Sequence, residues 1–152
     1  MKRNIRYSVL IIVCLFLFTG CNKKIENTVN TNDETKKLEK VDIKVKVYIN
    51  NNEYLLNLED NVTVNDFINL LPLDITMNEL NGNEKYFYLN EKLKSNPINP
   101  KHINKGDVML YGNNCLVIFY KSFDTSYSYT KIGHIDNLSD LGNGNVKVKI
   151  EK

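Results

Sequence analysis

The residue types of a hydrolase triad occur in the C-terminal third of the sequence. They are Ser122, Ser126, Ser128, His134 and Asp136. In such a triad a histidine activates the serine and an acidic residue orients the histidine, but no nucleophile-elbow motif precedes these serines. Serines that alternate with aromatic residues on a strand are more often the polar face of that strand. We therefore predict no catalytic residue, and the chain is more typical of a binding protein than of an enzyme.

Metal, phosphate and thiol chemistry have little support in the sequence. His102 and His134 are isolated and lack the short spacings to other ligands that metal sites use. The sequence contains no glycine-rich phosphate loop. Cys115 begins the apolar run 115–120, a setting typical of a buried, unreactive thiol. We expect neither a metal ion nor a cofactor.

The strongest candidate for a binding site is a group of aromatic residues. Its members are Tyr86, Phe87, Tyr88, Tyr111, Phe119, Tyr120, Phe123, Tyr127 and Tyr129. About half of the residues in alternating strands face the core, and we assign Phe87, Phe119 and Phe123 to that role. Tyrosines carry a polar tip, so several of them at the mouth of a barrel would suit a small ligand or an extended peptide. The predicted pocket residues are Glu84, Tyr111, Ser126, Tyr127 and Tyr129.

The first twenty residues have the pattern of a secretory signal. Residues 1–6 are cationic, and residues 7–19 form an almost unbroken apolar run that is short for a membrane-spanning helix of about 20 residues. The segment 18–21 (Phe-Thr-Gly-Cys) resembles the lipobox of bacterial lipoproteins, although Phe18 stands where leucine is usual. The resemblance implies cleavage before Cys21, lipidation of Cys21 and location at the extracytoplasmic face of the cell membrane. An uncleaved signal anchor is the alternative.

Residues 21–40 are dominated by asparagine, threonine, lysine and glutamate, and we predict a disordered tether. Cys14 lies in the signal and Cys21 is expected to be lipidated. Cys115 is then the remaining thiol, and an internal disulfide is not expected.

The charge of the mature chain excludes one class of partner. The full chain carries 20 basic and 18 acidic residues, and removing Lys2, Arg3 and Arg6 with the signal leaves 17 basic residues and a net charge near −1. A near-neutral domain lacks the basic surface that nucleic acids require. We expect no nucleic-acid partner.

Residues 41–152 have the pattern of one small, mainly β domain. A capping oxygen at Thr63, an acidic residue at Asp66 and apolar residues at Phe67 and Leu70 predict one helix, which Pro72 bounds. Alternating apolar residues and turn signals predict eight short strands. These are residues 43–49, 53–59, 75–80, 85–89, 107–111, 115–120, 127–135 and 146–150. Such a set favours a closed or nearly closed barrel, because closure removes exposed strand edges.

Two stretches of this domain, residues 71–89 and 106–133, resemble the small bacterial cyclophilin-like domain family. The resemblance covers about the whole of 41–152. It implies a cyclophilin-type β-barrel with the short helix closing one end. It does not imply an activity, because that family is largely without an assigned biochemical function.

Prolyl isomerase activity is not expected in spite of this resemblance. True cyclophilins resemble one another in using an arginine, a glutamine and aromatic residues to hold the prolyl peptide. Both arginines, Arg3 and Arg6, leave with the signal, and the chain contains no glutamine. Lysine is a poor substitute for the planar guanidinium group.

Two further functions stay open beside a non-catalytic binding module. One is an enzyme or redox accessory at the cell surface, with or without residual isomerase activity, because some relatives look joined to flavodoxin-like domains. The other is a structural surface protein without a ligand.

Overall fold

The computed structural model of the protein describes residues 43–152, and its main feature is a closed antiparallel barrel of eight strands. Around the barrel the strands follow the order β1, β10, β3, β4, β7, β6, β9, β2, and β5 and β8 form a separate ribbon. The elements are β1 (Val45–Ile49), β2 (Asn52–Leu58), α1 (Val62–Asn69), β3 (Leu73–Leu80), β4 (Glu84–Tyr88), β5 (His102–Ile103), β6 (Asp107–Tyr111), β7 (Cys115–Phe119), β8 (Phe123–Asp124), β9 (Thr130–Ile135) and β10 (Val146–Glu151). The expected mainly β barrel with one short α-helix is confirmed. The predicted signal peptide, Cys21 and the tether lie outside the described residues.

The strands form where apolar residues alternate with polar ones. In β1 the side chains of Val45, Val47 and Ile49 are buried, and those between them are partly or fully exposed. Strand β1 pairs with β2 on one side and with β10 on the other, where Val47 stands opposite Ile150. These two pairings complete the ring, so the barrel has no unpaired edge at β1.

The helix begins at Val62, and its cap lies two residues before the predicted cap. The side chain of Asn61, not Thr63, caps it, because Asn61 Oδ1 accepts a hydrogen bond of 2.9 Å from the backbone N–H of Val64. Thr63 is buried, and its hydroxyl donates to the carbonyl of Lys94 at 2.7 Å. Val64 and Phe67 face the barrel core. No helix in residues 43–152 combines the length and the hydrophobicity needed to cross a bilayer.

Two apolar clusters lie on opposite faces of the same strands. The inner cluster fills the barrel and takes Leu116 and Ile118 from β7. The outer cluster lies on the outer wall formed by β4, β6 and β7, and its buried members are Ile103, Met109, Cys115, Val117, Phe119 and Tyr129. Phe119 and Phe123 therefore pack on the outer wall, whereas Phe87 packs against the inner core.

The ribbon of β5 and β8 was not predicted from the sequence, and it adds to this outer cluster. Ile103 is fully buried in the cluster, and Phe123 packs against it. The chain then runs past Tyr129, which exchanges backbone hydrogen bonds with Ile98 at 2.9 and 3.0 Å. Because this segment pairs with Ile98, β9 begins at Thr130 and not at Tyr127 as predicted.

A lysine is buried on the inner side of β4. Lys85 is 0% exposed, and its Nζ donates to the carbonyls of Gly142 and Gly144 at 2.6 and 2.8 Å and to the carboxylate of Glu79. The hydroxyl of Tyr120 donates to the other Glu79 oxygen at 2.8 Å. Partial burial would raise the pKa of Glu79, but the hydrogen bonds from Lys85 and Tyr120 outweigh it, and that pKa is lowered. The buried ammonium thus joins the loop before β10 to the barrel.

Candidate functional site

A cavity of about 290 Å³ opens on the outer wall of the barrel, beside the outer cluster. Its lining residues are Leu80, Asn81, Glu84, Tyr86, Tyr88, Tyr111, Cys115, Val117, Tyr127 and Tyr129. Four of the five predicted pocket residues are therefore together. The predicted position at the barrel mouth is wrong, because the cavity lies on the outer wall. Glu84 of β4 and Tyr111 of β6 point outward, and Tyr127 and Tyr129 lie in the segment before β9.

Strand geometry positions the floor of the cavity. Side chains two residues apart in a strand share a face, so Glu84, Tyr86 and Tyr88 of β4 point the same way. On β7, Cys115 stands opposite Tyr88 and Val117 stands opposite Tyr86. Paired residues of antiparallel strands lie on the same face of a sheet, so these five side chains form one continuous surface.

Tyrosine rings form the walls. The ring centroids of Tyr111 and Tyr129 are 5.5 Å apart, and those of Tyr111 and Tyr127 are 6.2 Å apart at an interplanar angle of 89°. Tyr86 and Tyr88 form a second edge-to-face pair, with centroids 5.8 Å apart. Tyr129 is buried, whereas Tyr127 is 62% exposed and Tyr88 is 60% exposed. The rim is therefore open, and a ligand can reach the aromatic rings.

The carboxyl group of Glu84 is the main polar feature of the floor. Glu84 is only 9% exposed, and within residues 43–152 its side chain has no hydrogen bond or ion pair. Burial raises the pKa of Glu84, and the negative charge of Glu79 adds to this effect. Buried carboxyl groups are normally hydrogen-bonded or paired with a cation, so an unpartnered one in a cavity indicates room for a partner from outside.

Two other ionisable groups of the cavity, Cys115 and Tyr129, are neutral at ordinary pH. Burial, with a smaller contribution from the charge of Glu84, raises the pKa of Cys115 to about 11. The same two causes raise the pKa of Tyr129 to about 12. A thiol with such a pKa is not a nucleophile at neutral pH, because the thiolate is the reactive form. The arrangement is suited to binding and not to nucleophilic chemistry.

Ser126 does not line the cavity, in contrast to the prediction. Its side chain is exposed, and its backbone carbonyl accepts a hydrogen bond of 2.8 Å from the side-chain Nδ2 of Asn99. The prediction assumed strand alternation, which does not apply before Thr130, where β9 begins. Six lining residues were not predicted. These are Leu80, Asn81, Tyr86, Tyr88, Cys115 and Val117. The two-residue spacing from Glu84 was a signal that could have identified Tyr86 and Tyr88.

A second polar cluster surrounds His134 on β9. Its Nδ1 lies 3.0 Å from Asp107 Oδ1, and its Nε2 lies 3.6 Å from Asp136 Oδ1. Asp107 is buried and also accepts a hydrogen bond of 2.8 Å from the backbone N–H of Asn104. In the part of the chain that the structure describes, no serine is hydrogen-bonded to His134, so its carboxylate partners do not complete a triad. No group of three or more metal-ligating side chains occurs among residues 43–152.

Sequence comparison gives the family of this fold. No curated protein matches the chain. A family model described as the cyclophilin-like family matches residues 47–151, which contain nearly the whole barrel from β1 to β10. The chain therefore belongs to the cyclophilin-like family.

Proposed function

We propose that this protein is a membrane-anchored, extracytoplasmic lipoprotein whose cyclophilin-like barrel binds a small ligand without catalysing a reaction on it. The observation that carries the binding role is the unpartnered carboxyl group of Glu84, a residue that is 9% exposed, in a cavity walled by tyrosines. The cavity volume of about 290 Å³ lies just below the range of about 300 to 1,000 Å³ for small-molecule sites, which favours a small ligand over an extended peptide.

The non-catalytic part of the proposal is supported by the chemistry of the cavity. The thiol of Cys115, with a pKa of about 11, is protonated at neutral pH. The chain contains no glutamine, and both of its arginines precede Cys21. The arginine and the glutamine with which cyclophilins hold a prolyl peptide are therefore missing from the predicted mature chain.

The binding role can be tested with probes of one shape and different charge. We would titrate the full chain, in maltoside detergent, with tert-butanol, pivalate and tert-butylammonium, which share a tert-butyl group. The dipeptide alanyl-proline would be titrated beside them as a peptide probe. Tyrosine fluorescence would report binding, because the chain has no tryptophan and five of its nine tyrosines line the cavity. We expect at least one small probe to bind, and Tyr127→Ala to weaken it roughly tenfold through lost aromatic contact.

Tyr48→Ala is the matched control, because Tyr48 does not line this cavity. It should leave the affinity unchanged. The binding proposal fails when no probe binds at millimolar concentration, or when Tyr127→Ala and Tyr48→Ala have equal effects.

The membrane anchor makes a separate prediction. In a bacterial host fed radiolabelled palmitate, the wild-type chain should incorporate label and Cys21→Ser should not, because the acyl group is attached through the cysteine. Cys14→Ser removes the other cysteine of the signal region and should keep the label. Equal labelling of all three chains would contradict lipidation at Cys21.

A further inference from the structure

The charged group that lines the cavity is negative. Among the described residues that line it, Glu84 is the one charged side chain, and the set contains no lysine, arginine or histidine. A buried carboxylate without a cation or a hydrogen-bond donor is costly, and a bound cation removes that cost. An anionic ligand would instead be repelled. The cavity therefore favours a positively charged ligand.

The neighbouring lysine does not supply the missing charge. Lys85 follows Glu84 directly in the chain, but successive strand side chains point to opposite faces, and Lys85 lies on the inner side of β4. Its ammonium group is already bonded to Glu79 and to the carbonyls of Gly142 and Gly144. The carboxyl group of Glu84 is thus left for a ligand.

The walls of the cavity indicate what kind of cation it takes. Five tyrosines line the cavity, and aromatic rings attract alkylated ammonium groups, most strongly where water is partly excluded. A metal ion would need several oxygen, nitrogen or sulfur ligands, and residues 43–152 contain no cluster of three such side chains.

We propose that the cavity selects a small, free organic cation with an alkylated or quaternary ammonium group, for which Glu84 is the counter-ion and the tyrosines form an aromatic cage. This inference rests on the proposed binding function and specifies the charge and chemical class of the ligand. Glu84 supplies the selectivity for charge, and the open rim of Tyr88, Tyr111 and Tyr127 admits the ligand.

The proposal carries a dependence on pH. A cation binds the ionised carboxylate, so the affinity rises as the pH increases through the pKa of Glu84, which lies above its ordinary value. The other titratable groups around Glu84 are Glu79, Cys115 and the five tyrosines. Cys115 and Tyr129 stay neutral well above neutral pH, and Glu79, whose pKa is lowered, stays charged.

The experiment compares choline with its neutral carbon isostere, in which a tert-butyl group replaces trimethylammonium. Both would be titrated into the full chain in maltoside detergent, which carries no ammonium group, and tyrosine fluorescence would be read. We expect choline to bind at least about tenfold more tightly than the isostere. Glu84→Gln should remove that preference, so that choline binds no more tightly than the isostere. Glu91→Gln, which removes an exposed carboxylate outside the cavity, should change neither affinity.

Each outcome decides the proposal. Preference for choline that is lost in Glu84→Gln and at acidic pH supports it. Equal binding of the two compounds, unaffected by Glu84→Gln, overturns the cation inference and leaves the ligand-binding function standing. If choline does not bind, but tert-butanol or pivalate binds and Tyr127→Ala weakens that binding, the cation inference is likewise overturned and the ligand-binding function stands. If no compound binds, both the cation inference and the ligand-binding function are overturned.

Discussion

Replacement of Lys85 by methionine is expected to lower the free energy of unfolding by about 3 kcal/mol. Methionine preserves most of the length of the side chain and removes its charge. The carboxylate of Glu79 then loses a buried partner, and the carbonyls of Gly142 and Gly144 lose their donor. Lys85 is fully buried and the side chain of Glu79 is only 20% exposed, so water weakens this pair less than it weakens a pair on the surface, and its loss is more harmful. Urea denaturation of the full chain, followed by tyrosine fluorescence, measures the loss.

Lys149→Met is the matched control for this substitution. Lys149 also pairs with a carboxylate, that of Glu151 at 2.6 Å, but half of its side chain is exposed. Removing the Lys149 charge should cost much less stability than removing the Lys85 charge, because water screens the exposed pair. Equal losses in the two variants would contradict the role assigned to the buried ammonium.

The same lysine has a predictable pH signature. The pKa of Glu79 is lowered in the folded chain, so its pairing stabilises the fold above the pKa of the unfolded chain and is lost as the pH falls through the folded value. The difference in stability between the wild type and Lys85→Met should therefore shrink below about pH 4. A difference that grows on acidification would be inconsistent with this pairing.

The second large effect is expected at Gly106, between β5 and β6. An added Cβ would lie 2.2 Å from the backbone carbonyl oxygen of Ile135, and φ is +97°, where side chains are strained. That carbonyl cannot easily move, because the N–H of Ile135 donates to the carbonyl of Gly106 at 2.8 Å. Gly106→Ala should cost at least about 3 kcal/mol in unfolding free energy, measured by denaturation as above.

Substitution of Gly112 distinguishes steric overlap from backbone strain as the cause of the lost stability. It also has a positive φ, +61°, but an added Cβ there has no atom within 4 Å. Gly112→Ala should therefore cost only the backbone strain, about 1 kcal/mol. If both alanine variants lose the same stability, close packing at Gly106 is not the cause.

The fold could be predicted because its determinants are local. Period-two alternation in β1 and in β10 identifies strands that bury one face, and the asparagine and glycine turns separate them. The predicted helix cap was wrong by two residues because Asn61 and Thr63 are both good capping residues, and only the tertiary contact of Thr63 with Lys94 distinguishes them.

The site could be predicted only in part, because alternation divides residues between two faces without saying which face is enclosed. Glu84, Tyr111, Tyr127 and Tyr129 were identified from composition, but their location on the outer wall follows from the pairing of β4, β7 and β6. The burial of Lys85 could not be predicted from the sequence either, because its carbonyl partners lie 57 and 59 residues further along the chain.

The two faces of β4 and β7 have an evolutionary consequence. Residues such as Leu116 and Ile118 keep the barrel filled, whereas Tyr86, Tyr88 and Val117, on the opposite face of the same strands, shape the cavity. Substitutions on one face leave the packing of the other largely intact, so specificity can drift while the architecture is inherited. Relatives that share this barrel are therefore poor guides to one another's ligands.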